Sequence, residues 1–161
     1  MRTAKEDLER WDNLLDEYEQ SLGFPKYKAD GLPEEELQKY ISMDRDMIEK
    51  LTAADCGEIS LRLTQFAFHI QRTLNREIAR FNWAEETIKE VIADEVQQQK
   101  GYGYVEKSIQ AIKHNDKANS LNNIKRYAKQ RMDRLSYLAN CIKNLAESLQ
   151  NIQINKVKHG T

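Results

Sequence analysis

Five cations crowd into ten residues at Lys125-Arg126-Tyr127-Ala128-Lys129-Gln130-Arg131-Met132-Asp133-Arg134, against one aspartate. On a helix, Lys125 and Lys129 align one turn apart, and Arg126 and Arg134 lie on a neighbouring side. Closely spaced cations suit phosphates, because affinity for a nucleic-acid strand comes largely from displaced counterions. Lys113 and Lys117 carry the basic character one segment back. The same tract also suits a solvated face, or one paired with acidic residues elsewhere. A second row, Arg62, Gln65, His69, Arg72, Arg76 and Arg80, recurs at 3 and 4 and so shares a helix face. It can track a phosphate backbone or pair with acidic helices. The third candidate is Lys100-Gly101-Tyr102-Gly103-Tyr104, where Tyr102 and Tyr104 could stack on unpaired bases between Lys100 and Lys107. A turn with its tyrosines folded back on the bundle is the plainer alternative.

Catalytic spacing is missing. His69, His114 and His159 share no ligand spacing with cysteines or carboxylates, so no metal is expected. There is no HExxH, no GxxxxGK[ST], no GxGxxG and no GxSxG. Glu85-Glu86 has many charged neighbours and reads as a solvated face rather than an acid–base pair. The expectation is a binding protein with no cofactor, and not an enzyme.

The elements that position these residues are helices. Two prolines and six glycines in 161 residues are too few for the turns of a β-sandwich. Leu8, Trp11, Leu15, Tyr18 and Leu22 predict a first helix over 4–22. A linker over 23–33 holds Gly23, Pro25, Gly31 and Pro33. Pro33 ahead of Glu34-Glu35-Glu36 starts a second helix, which runs to about Leu51. Thr52-Ala53-Ala54-Asp55 caps a long third helix, roughly 55–98, whose stripe from Leu63 to Val96 spans 33 residues in nine steps. That period is close to that of a straight helix. Lys100 to Tyr104 breaks it.

A last long helix is predicted over 105–155. Leu121, Ile124, Ala128, Arg131, Leu135, Leu138, Ile142, Leu145, Leu149 and Ile152 alternate spacings of 3 and 4 without a slip. This is a heptad seam, suited to pairing between subunits or to an antiparallel hairpin within one chain. Arg131 is its one charged member. It can fix register, or face an anion in the channel of a helical ring.

Charge is uneven along the chain. Residues 1–60 hold 8 Lys and Arg against 16 Asp and Glu, and residues 100–161 hold 12 against 4. Complementary halves, a basic end for a polyanion, and plain solvation all fit this pattern. No apolar run approaches a membrane span, and the N-terminus has no signal-peptide pattern, so a cytoplasmic protein is expected. Cys56 and Cys141 read as reduced, core-type thiols.

The long helix, the Gly-Tyr break and the second long helix over about 55–152 resemble recombination mediator proteins of large tailed phages, the UvsY type. Leu74-Asn75-Arg76-Glu77 and Phe81-Asn82-Trp83-Ala84 are similar to stretches of small phage accessory proteins. The resemblance implies a ring-like homo-oligomer that binds single-stranded DNA and helps load a recombinase. The family is basic just before its break, whereas Asp94 to Gln99 here is acidic and then neutral.

The fold expected is all-α: two long antiparallel helices with coiled-coil character and two shorter N-terminal ones, oligomeric through 121–152. Residues 1–52 form an acidic helical region, and 53–161 a helical hairpin that carries oligomerisation. The expected function is that of a non-enzymatic recombination or replication mediator, binding single-stranded DNA or a DNA-binding partner. The rival is a structural or interaction protein of a phage: a virion component, an assembly chaperone or an inhibitor of a host protein.

Overall fold

The computed structural model describes residues 1–24 and 34–160, which are helical with short connections and contain no strand. Most of the linker expected at 23–33, including its prolines, lies outside the described residues. The helices are α1 (Ala4–Ser21), α2 (Glu34–Ile41), α3 (Arg45–Lys50), α4 (Ala53–Val96), α5 (Tyr104–His114), α6 (Asp116–Leu135) and α7 (Leu138–His159).

Local chemistry sets most of these boundaries. Thr3 and Glu6 form a reciprocal capping box at the start of α1: Thr3 N donates to Glu6 Oε2 at 2.7 Å, and Glu6 N to Thr3 Oγ1 at 3.2 Å. Thr52 and Asp55 repeat it ahead of α4, at 2.8 and 3.1 Å. The predicted second helix is two. Asp44 accepts from Met47 N at 2.8 Å and so starts α3 afresh.

The predicted last helix is three. At Asn115 the backbone is extended, and the side chain accepts from Ala118 N at 2.9 Å, capping α6. A turn at Ser136-Tyr137 then separates α6 from α7. Asparagine and serine offer the backbone local bonds that compete with helix continuation. Apolar spacing does not register these breaks.

The chain divides into two compact units, each assembled from two stretches: Met1–Lys28 with Arg76–Met132, and Ala29–Asn75 with Asp133–Thr161. In the first, α6 runs antiparallel to α4. Asn115 Nδ2 donates to Glu95 at 2.8 Å, Lys125 lies 3.7 Å from Glu85, and Arg131 lies 2.8 Å from Glu77. Ile88, Ile92, Val96, Ala111, Ala118, Leu121 and Ala4 form its core. In the second unit α7 runs antiparallel to α4. Ser60 Oγ donates to the Ala146 carbonyl at 2.8 Å, and Leu63, Ala67, Ile70, Ile142, Ala146 and Leu149 form the core with Tyr40 of α2.

Much of the heptad seam therefore packs inside its own chain. Leu121, Ala128, Ile142 and Leu149 are buried, and Ile124, Leu135, Leu145 and Ile152 lie against the two cores. Leu138 departs from the expected inward position and is 43% exposed, because the turn before it shifts the phase and Ala139 faces inward instead. Cys56 is buried, and that burial pushes its thiol up. Cys141 is exposed, contrary to its reading as a core residue.

The capping carboxylates give these helices an acid limit. Hydrogen bonds from Thr3 hold Glu6 below its ordinary value of 4.5, and those from Thr52 hold Asp55 below 3.8. Lys117 does the same for Asp7. A depressed folded value means the stabilisation is complete above the ordinary value and disappears as pH falls through the folded one. Helicity followed by circular dichroism should stay level down to those ordinary values and fall below them. Glu6→Gln and Asp55→Asn should each flatten that acid limb, and an unchanged limb in both would remove the capping boxes as its cause.

Candidate nucleic-acid interface

From Lys117 to Met132, α6 carries no acidic residue. Its outward stripe is Asn119, Asn123, Arg126 and Gln130, all exposed, at spacings of 4, 3 and 4. Tyr127 flanks this stripe and is 60% exposed, while Lys129 stands exposed on its other side. Lys125 and Lys117, also predicted, turn inward. Lys125 pairs with Glu85 and stands 5.8 Å from the Phe81 ring centre. Lys117 Nζ donates to Asp7 Oδ2 at 2.7 Å. Arg134 is exposed but belongs to the second unit. Asn119, Asn123, Tyr127 and Gln130 were not singled out from sequence. The missing acids and the 3/4 spacing of amides with Arg126 were the available signal.

The break before α5 leaves Tyr102 fully exposed and Tyr104 largely so. Tyr102 N donates to Glu106 Oε2 at 2.9 Å, which ties the backbone down while the ring stays outside. Lys100 is exposed beside it, and Lys107 is half-buried. The alternative of tyrosines folded back on the bundle does not hold for these two rings.

The second basic row is not an open surface stripe: of its two readings, pairing with acidic helices describes Arg62, Arg76 and Arg80. Arg62 Nη2 donates to Glu36 at 2.8 Å within the second unit. His69 stacks on Phe66 with ring centres 6.1 Å apart, and Arg72 is half-buried. Arg76 and Arg80 belong to the first unit, where they face α1. The Arg76 side chain is only 3% exposed: Nη1 donates to the Asp12 carbonyl at 3.0 Å, and Nη2 to Asp16 at 2.6 Å and Glu19 at 3.3 Å. Arg80 Nη2 donates to Asp12 at 2.9 Å and Nη1 to Glu77 at 2.8 Å.

Burial works against the charge on Arg80. The hydrogen bonds and charges of Asp12 and Glu77 outweigh it and raise the group above its ordinary value. Glu77 is itself buried. Its Oε2 sits 2.8 Å from Arg131 Nε but lacks the alignment of a hydrogen bond, so this contact is Coulombic. Arg131, read as a register or channel residue, therefore answers a buried glutamate in its own chain. Beside this network Trp11 stacks on Trp83, with ring centres 6.0 Å apart and planes 29° apart.

Sequence reasoning missed Asp12, Asp16, Glu77 and the tryptophan pair. The matching one-turn spacings of Asp12/Asp16 and Arg76/Arg80 were the available clue. Folding also removes the charge gradient. The first unit holds 16 Lys and Arg against 15 Asp and Glu, and the second 9 against 11. Among the described residues no group of three or more His, Cys, Asp or Glu could hold a metal, and no helix is long and apolar enough to cross a membrane. No protein-family model, curated protein or solved structure matches this chain.

Proposed function

We propose that the chain is a non-enzymatic accessory protein that contacts single-stranded nucleic acid through the outer face of α6, with the exposed tyrosines of the α4–α5 break as an added stacking surface. The observation that carries this reading is the acid-free run of α6, with exposed Tyr127 and exposed Lys129 on either side of the stripe that holds Arg126. Cations supply phosphate affinity, and aromatic rings accept any base. Delivering the strand to a DNA-binding partner is the mediator form of this role, and the sequence resemblance favours it.

Fluorescence anisotropy with a labelled oligothymidylate tests the proposal. Arg126→Ala with Lys129→Ala should flatten the log affinity–log salt slope by roughly 1.4, at about 0.7 per phosphate. Tyr127→Ala should weaken binding by about 1–3 kcal/mol and leave the slope alone. If all variants bind as wild type does, or if nothing binds at low salt, α6 is not the interface.

A second reading, that of a protein-binding or self-associating component, rests on a different observation. Leu14 and Tyr18 of α1 and Leu22 at its C-terminal cap recur every four residues and are all exposed. This reading places self-association on that ridge, since Ile142 and Leu149 are already buried in the chain's own core. Light scattering of wild type and Leu14→Asp/Tyr18→Asp decides it: a wild-type monomer at tens of micromolar removes self-association, and a change in mass on substitution supports the ridge.

A further inference from the structure

The face of α4 beneath α1 has the composition of a strand-binding surface, yet it is covered. Arg76, Arg80 and Trp83 share that face at spacings of 4 and 3, and Lys117 of α6 stands at the same side of α1 through its bond to Asp7. Each position meets an α1 group with the chemistry of a nucleotide. Asp12, Asp16 and Glu19 lie on the guanidinium groups as phosphates would, and Asp7 lies on Lys117. The Trp11 ring lies on Trp83 as a base would.

The attachment of α1 has a large ionic part. Ala4 is its one fully buried residue among the described ones, and Leu8, Trp11 and Leu15 are only partly buried. The carboxylates keep partial access to water, so they can be re-solvated as another anion takes their place on the guanidinium groups. The guanidinium groups, in contrast, need an anion at all times, because a buried charge left alone is strongly unfavourable. One anionic strand can therefore replace another here, whereas simple departure of α1 is opposed.

We infer that α1 is a displaceable acidic mimic of a nucleic-acid strand, and that single-stranded nucleic acid takes its place on Arg76, Arg80, Lys117 and Trp83. The inference rests on the nucleic-acid reading above and adds a second, gated contact to the open one on α6. Binding then has two stages. The exposed face of α6 gathers the strand, and the strand competes with α1 for the covered face. The thermodynamic consequence is a tax: the apparent affinity is lowered by the fraction of molecules in which α1 still holds the face.

The test uses the full chain and a labelled oligothymidylate, with two independent readouts. Asp12→Asn/Asp16→Asn weakens the mimic without touching the cations. It should bind about tenfold more tightly than wild type, the equivalent of about 1.4 kcal/mol for the ion pairs no longer broken. Trp11→Phe leaves Trp83 as the chain's sole tryptophan. Its emission should be quenched as bases stack on it, in proportion to bound strand.

If the asparagine variant loses its helicity, the Trp83 signal decides alone. Oligothymidylate that binds without altering Trp83 emission, and without gaining affinity in the asparagine variant, overturns the mimic and leaves the α6 reading intact. Absence of binding by wild type and by the asparagine variant overturns both. Binding by the asparagine variant only establishes the mimic in its strictest form, a mask that wild type keeps closed.

Discussion

Arg76→Ala should destabilise the first unit by about 3 kcal/mol, near the lower end of the range for breaking a buried ion pair. Its side chain is 3% exposed and donates to the Asp12 carbonyl, Asp16 and Glu19. Removing it leaves those acids facing one another across a cavity where a guanidinium stood. The carboxylates keep some access to water, which holds the cost to the lower end. Arg76→Lys should recover only part of the loss, because an ammonium group cannot fork between several acceptors as a planar guanidinium does. Both tryptophans lie in this unit, so their emission during urea unfolding reports on it directly. A midpoint unchanged in Arg76→Ala would mean that the network contributes nothing to holding α1.

The second large effect separates the heptad seam from the packing that the fold actually uses. Leu149→Ala should cost about 3 kcal/mol, as expected for a leucine truncated in a packed core, since the side chain is 1% exposed between α4 and α7. Leu138→Ala should change stability by no more than about 0.5 kcal/mol, the ordinary range for a surface position. An uninterrupted seam would give the two leucines similar costs. Thermal unfolding followed by circular dichroism distinguishes these outcomes, and equal losses would show that Leu138 is buried in solution by a second chain.

The long-range plan of this fold was legible because apolar periodicity reports burial. The stripe from Leu63 to Val96 is the inner face of α4, and Ile142 and Leu149 lie against that helix as a hairpin partner should. The helix breaks at Ser42, Asn115 and Ser136 were not legible in this way. Each depends on side-chain bonds or turns worth little individually, and a stripe of leucines passes over them undisturbed. The site divides along the same line. Arg126, Tyr102 and Tyr104 stand outside, as a strand-binding residue should. Arg76 and Arg80 read identically in sequence but lie under α1, because a charged residue's exposure is decided by which partner the fold brings to it. Asp12 and Asp16 are 64 residues or fewer from Arg76 along the chain, yet nothing local joins them.

The order in which the two units draw on the chain has a consequence for synthesis. Residues 1–28 begin the first unit, 29–75 the second, 76–132 close the first, and 133–161 close the second. A chain emerging from its N-terminus can therefore complete the later-started half of α4 before the earlier one. When Met132 has emerged from the ribosome, Leu121 has Ile88 and Ile92 to pack on, but Leu63, Ala67 and Ile70 still wait for Ile142 and Leu149. That waiting apolar face is the segment most open to chaperone capture or aggregation during growth of the chain. A ribosome-bound chain with Met132 just outside the exit tunnel should hold a folded tryptophan pair while its α2–α3 region is still sensitive to protease.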